Sequence, residues 1–209
     1  RPMTDRLIDR TLRAFSEDLA SERPVPGGGS AAAYAGALGA ALGAMVLRIA
    51  AKKDPEAFAA RIADLDNLRA DFMRLVDDDS AAFARVSTTM KMPRGTDEEK
   101  ARRKELMQAA LLGAARVPLE VAKTARRLLE SCEAVVTDAS PMTVSDVGVG
   151  ALMAETALRG AAMNVMINLA SLDDAAKVKA LSEELDRALE GSEQQRNRVV
   201  EFVESRIAR

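Results

Sequence analysis

Five short segments carry the side chains that could do chemistry, and the 209-residue chain contains no histidine to help them. The first is Pro26-Gly27-Gly28-Gly29-Ser30, which runs directly into an alanine- and glycine-rich stretch. Consecutive glycines let backbone approach a ligand, and the helix predicted to follow turns free amides and a positive dipole end toward it, which suits an anion. The same run also reads as a turn that merely starts a helix. It lacks the Gly-Lys-Ser/Thr ending of a phosphate loop and follows no predicted strand, so a nucleotide site is not expected. Without histidine, proton transfer and anion binding fall to carboxylates, lysines, arginines, Tyr34 and backbone amides.

The second segment is Asp77-Asp78-Asp79, four to six residues ahead of Phe83. Consecutive helical residues point about 100° apart, so the three carboxylates cannot share one direction. Asp79 precedes Phe83 by one turn, which sets it at the edge of the apolar stripe. Burial there would raise its pKa and suit it to proton exchange, whereas a solvated acidic face is the plainer reading of the triplet. The third, Lys91-Met92-Pro93-Arg94-Gly95, is a cationic turn able to hold a carboxylate, with Lys52 and Lys53 as another cationic cluster. The fourth is Ser145-Asp146 in a first helical turn, where an aspartate also simply complements the helix dipole. The fifth is Asn164 and Asn168, one turn apart among Met163, Val165 and Ile167. Buried amides need partners, and a heterocycle rich in donors and acceptors would supply them.

Helices must position these groups. Thr4 to Ala20 is amphipathic. Ala31 to Leu47 is apolar but built from alanine and glycine and followed by Arg48, Lys52 and Lys53, which favours a central buried helix over a membrane span. Gly36, Gly39 and Gly43 clear a strip for close helix approach, within one subunit or across a two-fold axis. Asp54-Pro55 caps a long helix that Met92-Pro93-Arg94-Gly95 stops, and Thr96 with Glu99 forms a capping box for the next. Pro118 is expected to kink or interrupt that helix. Thr143 with Asp146 opens another, and Ser171 or Asp173 caps a terminal helix reaching Ile207. The sum is an all-α, elongated bundle of six to eight helices over residues 1–209, the longest spanning roughly 40 Å, with apolar strips that call for a second subunit. No 34- or 40-residue repeat supports a solenoid.

Composition narrows the partners. At 48% hydrophobic but 3% aromatic residues the core must be aliphatic. A net charge of −2 with 30% charged residues gives no basic field for nucleic acid. The single Cys132 forms no internal disulfide or zinc knuckle and is expected to be a buried hydrophobe in a reducing cytoplasm. No signal-peptide pattern is visible, and little is expected to precede Arg1.

The order and spacing of the motifs resemble the cyclodeaminase/cyclohydrolase family of tetrahydrofolate enzymes. That family comprises the cyclodeaminase half of formiminotransferase-cyclodeaminase and stand-alone methenyltetrahydrofolate cyclohydrolases. The resemblance spans nearly the whole chain, through Pro26 to Ser30, Asp77 to Phe83, Pro93 to Lys100, Val117-Pro118-Leu119, Ser145 to Val149 and Asn164 to Leu169. Two departures stand out: Ala139-Ser140 where the family commonly has Gly-Asn, and Arg94 where many members carry lysine. The resemblance implies an all-helical homodimer that binds a folate near the subunit interface, as cyclodeaminase or cyclohydrolase, with no metal or nucleotide.

The implied site comprises Asp79 or Asp146 as proton relay and Asn164 or Asn168 on the pterin. The Gly27–Gly29 amides and the Lys91/Arg94 turn would hold the glutamate-tail carboxylates. Pro26, Ser30, Lys52, Phe83, Pro93 and Ser145 complete the candidate substrate-binding set. A formiminotransferase is an implied partner, nucleic acid and membrane are not, and a non-catalytic folate-binding or scaffold dimer is the other class the features fit.

Overall fold

The computed structural model describes residues 6–52 and 54–208, so Lys53 of the second cationic cluster lies outside the described residues. Among them are seven α-helices and no strand. The helices are α1 (Leu12–Leu19), α2 (Gly28–Ala50), α3 (Pro55–Met90), α4 (Asp97–Val135), α5 (Val144–Leu169), α6 (Ala175–Leu189) and α7 (Ser192–Ile207), with a 3-10 turn at Leu7–Asp9 before α1. Of the expected Thr4–Ala20 helix, Thr4 and Asp5 lie outside the described residues, and the remainder is broken between the 3-10 turn and α1. Thr11 starts α1 instead, its side chain accepting from Ala14 N–H at 3.1 Å.

Local chemistry accounts for the other boundaries. Asp54 accepts from Ala57 N–H with Pro55 in the first turn of α3. Thr96 and Glu99 cap each other's amides at 3.2 Å in both directions, the expected capping box of α4. The Glu99 carboxylate also accepts from Gly95 N–H at 2.7 Å, which fixes the turn between α3 and α4. Thr143 stands at the N-cap of α5, but its hydroxyl is engaged with Ser140, so no capping box forms with Asp146.

Two expectations about helix ends fail. Pro118 does not divide α4, which continues through it for 39 residues, and α3 runs for 36. At ~1.5 Å per residue these helices span roughly 54 to 58 Å, longer than expected. The predicted terminal helix is instead two. Asp174, rather than Ser171 or Asp173, caps α6 through the amides of Ala176 and Lys177, and Gly191, at φ 67°, turns the chain before α7. That left-handed conformation is the one glycine tolerates best.

Helix α2 is the central element, packed against α3, α4 and α5, while α6 and α7 lie on α4 and α5. It is long and apolar enough to cross a membrane, yet most of its apolar stretch is covered by these neighbours. The three glycines of its strip do not share a face. A methyl at Gly36 would meet the Phe72 ring at 2.4 Å and one at Gly43 would meet Leu65 at 3.2 Å, both on α3; one at Gly39 would meet the Gly150 carbonyl of α5 at 2.9 Å. The core is aliphatic, with Phe72 the sole aromatic among the largest fully buried side chains. Cys132 lies within it, its thiol pushed up to about 12 by burial.

Helices α2 and α5 run antiparallel. Gly28 lies beside Asn164, Gly160 beside Ala32 and Gly39 beside Gly150. The pair thus has one end bearing the glycine run and Asn164, and another bearing Lys52 and Asp146.

Candidate functional site

Helix α2 begins at Gly28, so Gly28 and Gly29 form its first turn and Gly27 is the cap. The first intrahelical bond there is from Ala31 N–H to the Gly27 carbonyl. The preceding amides therefore face out of the helix end. Across this end stands Asp79 of α3. A methyl group on Gly29 would lie 2.1 Å from Asp79 Oδ1 and 2.6 Å from its carboxyl carbon, so glycine is required by the carboxylate, which occupies the space a side chain would take.

Ser30, fully buried, donates its hydroxyl to Asp79 Oδ2 at 2.8 Å and lies 3.3 Å from the Ser80 hydroxyl. Burial raises the Asp79 pKa above the ordinary carboxylate value, and hydrogen bonds from the Ser30 side chain and backbone partly oppose the rise.

The other two members of the acidic triplet have different work. Asp77 accepts from Leu7 N–H at 2.7 Å and ties the N-terminal turn to α3. Asp78 pairs with Arg74 at 2.5 Å on the surface. The helical geometry thus sends one carboxylate to the cavity, one to a structural bond and one to solvent.

The Asp79 carboxylate opens on a cavity of about 380 Å³, within the range of small-molecule sites. Gly27, Gly28 and Gly29 line it, as do Phe83, Asn164 and Asn168. Met90, Leu111 and Ala114 add an apolar wall, and Ser171 closes the α5 side. Ala82 and Val86 also line the cavity, and with Leu111, Ala114 and Ala110 they form one small buried apolar cluster.

Asn164 donates its amide to the Gly160 carbonyl at 2.8 Å; Asn168 donates to the Asn164 and Ala114 carbonyls at 2.7 and 3.1 Å. Asn168 thereby uses both amide hydrogens and Asn164 one, which leaves the two Oδ1 atoms and one Asn164 N–H to meet a ligand. The two oxygens accept no hydrogen bond among the described residues. Acceptors of this kind select a ligand with N–H groups.

Other candidate residues lie elsewhere. Pro26 is buried behind the glycine turn. Lys91, Pro93 and Arg94 are exposed in the α3–α4 turn; they do not line the cavity but follow Met90, which does. Lys52, Ser145 and Asp146 are at the opposite end of the α2–α5 pair. Asp146 precedes Asn164 by 18 residues on α5, a separation of roughly 27 Å along the helix.

Sequence reasoning missed the apolar wall. Leu111 and Ala114 have the periodicity of core positions, and Ser171 stands just past a helix end, so none of the three advertises a ligand.

A helical bundle that sets one half-buried acid beside a helix N-terminus, opposite paired amide acceptors, has the equipment of an enzyme for a small nitrogenous molecule. The family model described as formiminotransferase-cyclodeaminase matches residues 11–187, and the chain belongs to this family. It is 37% identical over 204 residues to the methenyltetrahydrofolate cyclohydrolase of Methylorubrum extorquens, covering 95% of this chain and 98% of that protein. It is 36% identical over 207 residues to the formimidoyltransferase-cyclodeaminase of Gallus gallus, covering 97% of this chain but 38% of the longer protein. The crystal structure of formiminotetrahydrofolate cyclodeaminase from Thermotoga maritima matches with a TM-score of 0.82 at 27% identity, over 94% of this chain and 97% of that one. These matches bear out the family resemblance and the all-helical fold.

Proposed function

We propose that this protein is an enzyme acting at the N5–N10 bridge of a tetrahydrofolate, and that its reaction is hydrolysis of 5,10-methenyltetrahydrofolate to 10-formyltetrahydrofolate. The observation that carries the reading is Asp79, a carboxylate of raised pKa facing the same cavity as two unengaged amide oxygens. End-to-end similarity to a methenyltetrahydrofolate cyclohydrolase supports the choice of reaction.

The substrate's bridge is already cationic, so the protein needs to orient it and move protons. Asn164 and Asn168 accept from the pterin N–H groups. Asp79 accepts a proton as water adds to the bridge carbon, giving a tetrahedral carbinolamine. Asp79 then returns that proton to N5 as the C–N5 bond breaks, and the hydroxyl proton is released with the 10-formyl product. Phe83 offers a face to the aromatic rings. The glutamate-tail carboxylates extend toward Lys91 and Arg94 beyond the rim.

Cyclodeamination is the second reading, favoured by the fold match to a formiminotetrahydrofolate cyclodeaminase. There N10 attacks the carbon of the protonated formimino group, and Asp79 carries the N10 proton to the resulting amino group, which leaves as ammonia and gives the 5,10-methenyl cation. A formiminotransferase on a separate chain would then be the partner supplying substrate.

We also propose a homodimer through the α2–α5 face, where Leu38, Met45, Ile49, Val149 and Leu152 are exposed. A two-fold axis across the middle of that antiparallel pair would set each cavity beside the partner's far end. Asp146 and Lys52 would then enter the site from the other subunit.

Supplying each folate separately tests the reading by absorbance. Methenyltetrahydrofolate bleaches on ring opening and its band appears on cyclodeamination, whereas a folate-binding protein without activity shifts the band and turns nothing over.

A further inference from the structure

We propose that Pro118, which touches no ligand, is a positioning residue that fixes which way the Asn168 amide faces. The ligand in this inference rests on the folate reading, but the positioning itself is a property of the free protein. In an α-helix the N–H at position 118 would donate to the carbonyl at 114, and proline has no N–H. The buried Pro118 inside α4 therefore leaves the Ala114 carbonyl without its helix donor. That carbonyl belongs to a residue of the cavity wall, and it is filled from another helix: Asn168 Nδ2 donates to it at 3.1 Å. The same nitrogen donates to the Asn164 carbonyl at 2.7 Å, so both amide hydrogens are used and this cavity-lining residue keeps an unengaged Oδ1.

Turning the amide over would set Oδ1 against two carbonyl oxygens and aim N–H groups at the ligand. The open carbonyl penalises that orientation. Pro118 thereby sets the hydrogen-bonding polarity of this part of the wall and, with it, the preference for a ligand that donates there. Asn164 has no such device, since its amide donates within α5 to the Gly160 carbonyl.

Pro118→Ala restores an N–H able to compete for the Ala114 carbonyl. In the ligand-free, nitrogen-15-labelled protein, the Asn168 side-chain amide hydrogens are expected to exchange about tenfold faster in the variant than in the parent, the effect of one weakened hydrogen bond. With methenyltetrahydrofolate, KM is expected to rise by about tenfold with kcat little changed, and Pro118→Ala adds nothing in an Asn168→Ala background.

Unchanged exchange in Pro118→Ala overturns the proposal. So does an equal rise in KM in both backgrounds, because the proline would then act through helix shape. If Pro118→Ala does not fold, Asn168→Asp decides. An acceptor facing the open carbonyl is expected to weaken binding at least as much as Asn168→Ala, and parental affinity would overturn the account. Should no folate bind the parent, the functional reading fails while the exchange measurement still judges the positioning.

Discussion

The two ends of the α2–α5 pair are built from similar residue types but are in opposite states. At one end the glycine run lies under Asp79, and a buried serine, two asparagines and an apolar wall enclose the carboxylate. At the other, Lys52 is exposed and Asp146 stands in the first turn of α5, and neither lines the Asp79 cavity. A carboxylate near a helix N-terminus is common to both. Burial raises the Asp79 pKa, and on the proposed reading that is what suits this end to proton exchange.

The sharpest way to break this contrast is Asp79→Asn, which keeps shape and hydrogen bonding but not proton exchange. Turnover is expected to fall by ~10²–10⁴-fold with folate affinity retained, as for loss of a general acid–base group. Steady-state rates and calorimetry separate the two quantities.

Gly29→Ala is the next largest. Its methyl would lie 2.1 Å from Asp79 Oδ1, and the carboxylate must move. A displacement near 1 Å is expected to lower kcat by about 10²-fold. Gly113→Ala, where an added methyl has open space, serves as the control and is expected to behave as the parent.

Mixing subunits asks whether the far end contributes in a dimer. With Asp79→Asn and Asp146→Asn both impaired, each mixed dimer contains one site with neither substitution. Refolding an equal mixture should restore roughly a quarter of the parental activity if Asp146 acts across a two-fold axis. No recovery assigns Asp146 to its own subunit or to structure alone.

Asn164→Ala removes one acceptor and is expected to raise KM by about tenfold, with less effect on kcat. The smallest effect is on stability. Burial raises the pKa of Asp79 in the folded chain above its unfolded value, so ionising it costs stability. That cost is absent below the unfolded pKa, grows between the two values and is complete above the folded one. Asp79→Asn is therefore expected to gain melting temperature over the parent as pH rises through that window, and to lose the gain below it.

Much of the pocket end was legible because its signals are local. Three glycines before an alanine-rich run specify close approach and a helix start, and Asp79 one turn before Phe83 specifies an acid at an apolar edge. Asn164 and Asn168 were legible for a similar reason, as amides one turn apart on an apolar helix. The division of labour among Asp77, Asp78 and Asp79 follows from the 100° step of the helix, but which carboxylate faces the cavity depends on where α2 crosses α3.

What was not legible depends on distant partners. The continuity of α4 through Pro118 and the distance of Asp146 from Asn164 are set by helix packing and length, which no single segment records. The split between α6 and α7 has one local mark, Gly191 at φ 67°, set within an otherwise continuous helical period.

The most direct test is the absorbance decay of 5,10-methenyltetrahydrofolate with the parent and with Asp79→Asn, at protein concentrations where calorimetry detects binding to both. The account predicts rapid bleaching by the parent and a bound, persistent band with the variant. Bleaching by Asp79→Asn at the parental rate would contradict it.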